Sequence, residues 1–526
     1  MIIVRKVLLS AAILLTAFIS QAQTIRVGEQ LQKLLIAESA ITNLYVDPVS
    51  DTTLVEAGIK AMLKELDPHS TYLSADEVRK SNETLNGNFE GIGVQFNMVR
   101  DTLFIVQTIP DGPSEKVGIM AGDRIVSAND TAIAGVKMSN DEIMRRLRGP
   151  KGTVVRLGVI RQGVSGLIHF NVVRDVIPLN TVDASFLAAP GVGYIKISSF
   201  GATTVKEFGE ALMRLRKKGV ESLILDLQGN GGGYLGAAVG MANQFLEHDQ
   251  LIVYTSGRAS ENVSYKAEGT GLFLKGRLVV LIDEYSASAS EIVSGAVQDW
   301  DRATIIGRRS FGKGLVQRPV EFSDGSMIRL TVAQYFTPSG RCIQKPYGDD
   351  VDYGKDIEER LRTGQLVSAD SIHFADSLRY STLVKGRTVY GGGGIMPDIF
   401  VPIDTGRVNQ WYRDVTARGS VLQASLAYVD MHRKELERKY RNFEKFNTGF
   451  VVGQDLLDIV LHNAEESGVR FDQEQYDKVL PIISLQLKAL VARDIWTMSE
   501  YYKVINALDP VYCRALEFLE SDTSTM

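Results

Sequence analysis

The chain has 526 residues, of which 44% are hydrophobic and 23% charged, and its formal net charge is −5. A length of this order predicts about three or four globular domains with room for a large buried core. The slightly acidic balance and the lack of a long Lys/Arg run exclude the basic surface that nucleic-acid binding needs.

Arg5 and Lys6 precede the apolar stretch Val7–Ile19, and Ser20-Gln21-Ala22 offers small residues at the two positions an export peptidase reads. A signal peptide over 1–22 is expected. An uncleaved anchor is the lesser alternative, because the apolar core falls short of the ~20 residues a bilayer span needs. No cysteine lies near the cleavage point, which disfavours a lipid anchor. Cys342 and Cys513 are too few for a disulfide framework, although an exported chain leaves one bridge open.

Residues 23–83 show helical spacing, with Leu31, Leu34 and Leu35 and later Ala57, Ile59, Met62 and Leu63, and they read as an N-terminal helical domain. From 84 to 175 the period changes to two, in GVQFNM and TLFIVQTI, with glycine-containing turns and one helical stretch, NDEIMRRLRG (140–149). GIGV, residues Gly91, Ile92, Gly93 and Val94, leads into the first of these strands. Its glycines allow successive N–H groups to point one way, a nest able to hold a carboxylate, although a lone Gly-x-Gly is more often a plain turn. Together with PSEKVGIMAGDRIVSAND (113–130) and RGPKGTVVRLGVIR (148–161), the region resembles a PDZ domain of the bacterial protease type. That resemblance implies capture of a peptide C-terminus by β-augmentation beside Gly91–Val94.

Residues 176–405 alternate strands and helices and predict an α/β core. GYIKISSF reads as a strand, 202–217 as a helix, and ESLILDL as a buried strand running into QGNGGG (228–233). After LVVLIDE (278–284) comes SASASEIVSGAVQDW, whose Ala289, Ile292, Val293, Ala296, Val297 and Trp300 predict a helix with one buried face. The last block, 406–526, has helical spacing and dense charge with no cluster suggesting chemistry, and reads as a C-terminal helical domain.

Serines at a strand-to-helix turn are usually helix caps, yet free amides at such a turn can also stabilise an oxyanion beside a nucleophile. GRRSFGKG (307–314) has the spacing of a phosphate loop. It fails as one, because Gly314 stands where magnesium needs a Ser or Thr and LVQRPVEF continues as a strand. The same glycines would let Lys313 approach another backbone closely, where desolvation lowers an amine's pKa toward that of a usable base. None of the six histidines has a motif context suited to a Ser-His-Asp site, and there is no H-E-x-x-H or cysteine pair for a metal.

SASASEI, AVQD, RATIIG and FGKGLVQ, in that order, resemble the signature of the carboxyl-terminal processing, or tail-specific, serine proteases of Ser/Lys type. The likeness extends to YVDPV, LDPHSTYL, GNFEGIGVQF, LILDLQGNGGG, TVAQYFTPSGRCIQ and GGIMPDI, and so spans about residues 40–400. It implies a multidomain α/β protein with a crotonase-like protease core, an inserted PDZ domain and helical ends. By the same resemblance Ser288 is the nucleophile, Lys313 the base and Gln317 the residue that orients the lysine, with the oxyanion held by the N–H groups of Ala289 and Gly232. Many relatives read Asp-Leu-Arg-Asn-Asn-Pro-Gly-Gly where this chain has DLQGNGGG, so the oxyanion glycine is the less firmly placed partner. Arg148 matches a PDZ arginine that contacts the catalytic domain, near Gln317, when the site is assembled.

The charged insertion at 345–390 reads as a surface excursion in preference to a flap over the cleft. The function implied is an exported endopeptidase of the periplasm or cell envelope, selecting protein or peptide substrates by their C-termini, without metal or cofactor. Homodimerisation and proximity to a membrane are left open. The rivals are a catalytically silent PDZ adaptor or chaperone, against which Ser288, Lys313 and Gln317 are all intact, and a crotonase-like acyl-CoA enzyme, against which stand the PDZ-like block and the export signal.

Overall fold

The computed structural model describes residues 28–99, 101–348 and 352–521, so the expected signal peptide lies outside the described residues. Two units are distinct, Met1–Tyr72 and Leu73–Met526. In the first, helices Glu29–Leu44 and Asp51–Lys64 form where the apolar spacing predicts them, the second capped by Ser50 Oγ accepting from Thr53 N. Among the described residues, no helix is long and apolar enough to cross a membrane.

The second unit begins with helix Ala75–Asn86, set by a capping box between Ser74 and Glu77 and stopped by Gly87 at φ +71°. An antiparallel sheet follows, ordered Val94–Val99, Thr102–Thr108, Arg124–Ala128, Val154–Ile160, Ile168–Val173. Ile143 and Leu147 of helix Asn140–Leu147 join Leu103, Ile105 and Val155 in its core. Val94–Val99 is an edge of this sheet, with unpaired backbone available to an added strand.

The α/β core is built on a six-stranded sheet, Val182–Ala189, Val192–Ile197, Ser222–Asp226, Arg277–Ile282, Thr304–Gly307 and Ile399–Phe400, in that spatial order. The first pair is antiparallel and the remaining four are parallel. Its central strands are continuous apolar runs because both faces are covered. Leu223, Leu225, Val280 and Ile282 face helices Thr204–Arg216, Leu235–Ala242 and Ala289–Asp299. The alternate residues, Tyr194, Ile224, Val279 and Leu281, pack on Val511, Tyr512, Ala515 and Leu519 of helix Pro510–Ser521. The end of the chain, expected to belong to a separate helical block, is therefore the second cover of the core sheet. The remaining C-terminal helices bury their own core around Trp411, Phe446, Leu456 and Leu487.

One other expectation changes. All of Ala289–Asp299 is buried, not one face of it, and its polar side chains have internal partners: Ser294 Oγ donates to Ser290 O and Asp299 pairs with Arg341. Most of the described residues of segment 345–390 are exposed or half-buried, in keeping with a surface excursion, while Lys345 and Arg360 are buried within it. Cys342 and Cys513 are both free thiols.

Candidate active site

Strand Arg277–Ile282 runs into the SASAS turn, and the helix starts directly after Ser288. Ser286 and Ser290 are fully buried, and their hydroxyls donate to Leu227 O (2.9 Å) and Asn230 O (2.8 Å). Ser288 differs from both. It is partly exposed and adopts φ +55°, ψ −110°, outside the regions L-residues favour. Such strain persists where the surroundings over-determine the backbone, and it is typical of functional positions.

Glu291 supplies that determination. It is wholly buried and accepts four hydrogen bonds, from Ser310 Oγ (2.6 Å) and Gly312 N (2.7 Å) at Oε1 and from Ser288 N (2.7 Å) and Lys313 N (2.9 Å) at Oε2. One carboxylate oxygen thus joins the backbone of Ser288 to that of Lys313. The buried Tyr335 hydroxyl bridges the same two residues a second time, facing Ser288 O at 3.1 Å and Lys313 O. Burial raises the carboxyl pKa of Glu291 above its ordinary value, with the four hydrogen bonds opposing the shift, and it holds the Tyr335 phenol well above its own. Lys313 Nζ donates to Gln317 Oε1 at 3.2 Å, and Gln317 is carried by strand Leu315–Glu321, which fixes where the ammonium or amine can lie.

The glycine-rich turn closes on the serine from the other side. At Gly232, φ +106°, a Cβ would stand 2.9 Å from Ser288 Cβ and 3.1 Å from Ala289 N, so only glycine allows this approach. Its N–H donates to Asn230 Oδ1 at 2.9 Å, which closes the turn on itself in this conformation. Ala289 is the first helical residue, where N–H groups lack intrahelical partners. Asn230, fully buried, stitches the turn in place: Nδ2 donates to Ile197 O, and its carbonyl accepts from Ala287 N and Ser290 Oγ. Behind the turn Lys196 Nζ donates to Asp226 Oδ1 (3.0 Å) and Gln228 O (2.6 Å), and Gln228 Nε2 reaches Asp509 Oδ2 (2.7 Å).

In the PDZ region Ile92 is buried, its carbonyl accepting from Ser114 N and Oγ, while Gly93 at φ +72° packs so closely on Pro113 and Ile177 that a Cβ would crowd both. Gly91 and Val94 flank this loop, Val94 opening the edge strand. Arg148, whose contact near Gln317 is expected of the assembled site, here pairs with Glu83 and lies over the Phe89 ring at 4.5 Å, its stem close to Gly91. His169 sits on strand Ile168–Val173, and His432 and His462 pair with Glu435 and Glu466 on the C-terminal helices.

Glu291, Asn230 and Tyr335 were not singled out from the sequence. Ser288-x-x-Glu291 carries a legible signal, the capping-box spacing. Asn230 and Tyr335 act through backbone atoms of distant segments, which no local pattern records.

Family comparisons match this architecture. Residues 191–353 match peptidase family S41, 91–172 a PDZ domain, 12–77 the N-terminal domain of the activating protease CtpB, and 411–497 a family of unknown function. The chain is 37% identical over 317 residues to the carboxy-terminal processing protease CtpA of Bacillus subtilis, covering 60% of this chain and 67% of that one. It is 38% identical over 307 residues to the carboxyl-terminal-processing protease of Synechocystis sp., covering 57% and 70%. Among solved structures, the photosystem II D1 C-terminal processing protease aligns at 26% identity and a TM-score of 0.34, over 70% of this chain and 92% of that one. Fold and relatives together define a serine-type peptidase that carries a PDZ domain. The chain belongs to the carboxy-terminal processing proteases of peptidase family S41.

Proposed function

We propose that the protein is an exported endopeptidase that binds the C-terminal tail of a substrate at Gly91–Val94 and cleaves it with a Ser288/Lys313 dyad. The observation that carries this reading is the double bridge between the two residues, Glu291 Oε2 on their amides and Tyr335 Oη on their carbonyls, around the one strained and accessible serine of the turn.

In the first step the neutral amine of Lys313, oriented by Gln317, takes the proton from Ser288 Oγ as that oxygen attacks the peptide carbonyl. The N–H groups of Ala289 and Gly232 receive the oxyanion; for Gly232 this requires release of its hydrogen bond to Asn230. The Lys313 ammonium then protonates the departing amine, leaving an acyl-enzyme. Water, deprotonated by Lys313, hydrolyses that ester and restores Ser288. The substrate tail adds to the Val94–Val99 edge with its carboxylate at the glycine loop. Arg148 couples tail binding to the catalytic region by exchanging its Glu83 partner for a contact near Gln317.

Amidating the C-terminus of a peptide substrate removes the charge the glycine loop holds, and cleavage should weaken; equal cleavage of the free acid and the amide across concentrations removes tail selection. A silent adaptor or an acyl-CoA enzyme would cleave neither peptide. Export to the periplasm or envelope and a homodimer belong to the same proposal. Helix Glu29–Leu44 buries none of its residues and exposes Leu34 and Leu35, which suits a second copy better than water; sedimentation velocity reads the mass directly.

A further inference from the structure

The S41 match ends at residue 353, and the segment after it grips the loop that carries Lys313. We propose that Arg360, in helix Asp356–Arg362, is a positioning residue for the catalytic lysine, an inference that rests on reading Lys313 as the base.

Between strands Thr304–Gly307 and Leu315–Glu321 the loop has no regular structure, yet Ser310, Gly312 and Gly314 are buried, so its backbone polar groups need partners from elsewhere. On one side the amides of Gly312 and Lys313 donate to Glu291. On the other, the carbonyls of three consecutive residues point at Arg360: Nη1 donates to Arg309 O (3.2 Å) and Ser310 O (2.8 Å), and Nη2 to Phe311 O (3.0 Å). The residue is 2% exposed. Asp356 balances its charge, 3.0 Å from Nε, and also pairs with Lys345 Nζ at 2.9 Å. Lys345 in turn lies over the Phe311 ring at 3.8 Å and the Tyr353 ring at 4.1 Å, and its N–H donates to Gly312 O.

The loop is therefore clamped between a carboxylate on the nucleophile helix and a guanidinium from the insertion. The planar fork of an arginine meets the three carbonyls from two separate nitrogens, whereas a lysine ammonium carries its three donors on one atom at the end of a flexible stem and does not reproduce that spread. Losing the clamp frees the start of the loop, Arg309 to Phe311, and leaves Lys313 to Glu291 on its amide and Tyr335 on its carbonyl. The lysine then loses its alignment with Ser288, while the PDZ groove and its hold on the substrate tail stay as they were.

The test uses the full chain, with Arg360→Ala and Arg360→Lys compared on a free-acid peptide and rates expressed per site labelled by a serine-directed fluorophosphonate. Arg360→Ala should lower kcat on the order of 100-fold, the scale of a displacement of about 1 Å, with KM little changed. Millimolar guanidinium should refill the vacated site and restore part of that kcat, whereas it should not restore Lys313→Ala. Arg360→Lys, which keeps a cation beside Asp356, should fold and still fall well short of wild-type kcat. The proposal is overturned if either variant turns over at the wild-type rate per labelled site, or if guanidinium gives Arg360→Ala no recovery. Activity surviving in Lys313→Ala would instead sink the reading of the lysine as base, so the two failures are distinguishable.

Discussion

Glu291→Ala should reduce peptide cleavage on the order of 100-fold or more, because one side chain fixes both halves of the proposed catalytic pair. Its Oε2 holds the amides of Ser288 and Lys313, and its Oε1 holds Ser310 and Gly312. With alanine there, four donors lose their acceptor, the two on buried Ser310 and Gly312 at a cost of about 1–3 kcal/mol each, and the strained Ser288 backbone is free to relax. Glu291→Gln should be nearly as harmful. Each carboxylate oxygen faces two donors, so an amide nitrogen in either place opposes both. The pH dependence has a defined sign. Burial raises the Glu291 pKa, so as pH falls its carboxylate gains a proton sooner than an ordinary glutamate and an O–H replaces an acceptor. Cleavage should therefore decline on the acid side, and kcat/KM against pH, taken with thermal unfolding to confirm a folded variant, measures it. Wild-type rates in Glu291→Gln would remove the bridging role.

Lys313→Arg is expected to be as inactive as Lys313→Ala. Arginine keeps the positive charge and can reach Gln317, but its guanidinium stays protonated at any accessible pH and cannot take a proton from Ser288. In the wild type, activity should rise with pH as the lysine ammonium gives way to the amine, since only the amine is a base. In Lys313→Arg the residual rate should be low and lack that rise. Substantial, pH-dependent cleavage by Lys313→Arg would assign the proton to another group.

How much of this was legible depended on whether an interaction is local. Strands such as Ser222–Asp226 and Arg277–Ile282, and the helix after the serines, follow from short-range periodicity. The motif order placed Ser288, Lys313 and Gln317, and the structure brings the lysine to the glutamine. Arg360 was not legible, because a guanidinium that binds backbone carbonyls imposes no residue type on its partners and leaves no paired pattern. Helix Pro510–Ser521 looked like any amphipathic helix; that its apolar face covers Tyr194, Ile224 and Leu281 is a consequence of a chain return more than two hundred residues long. Nor did the charge of segment 345–390 show which of its cations are buried. Charged residues are rarely buried unless paired, and here Arg360 and Lys345 share Asp356.

The central claim is that Ser288, and neither neighbouring serine, is the nucleophile. Labelling the purified protein with a fluorophosphonate and mapping the adduct by mass spectrometry tests it most directly. The account predicts phosphonylation at Ser288 alone, lost in Ser288→Ala together with peptide cleavage, while Ser286→Ala and Ser290→Ala, whose hydroxyls serve Leu227 and Asn230, keep some of both. An adduct on Ser286 or Ser290, or cleavage that persists in Ser288→Ala, would contradict it.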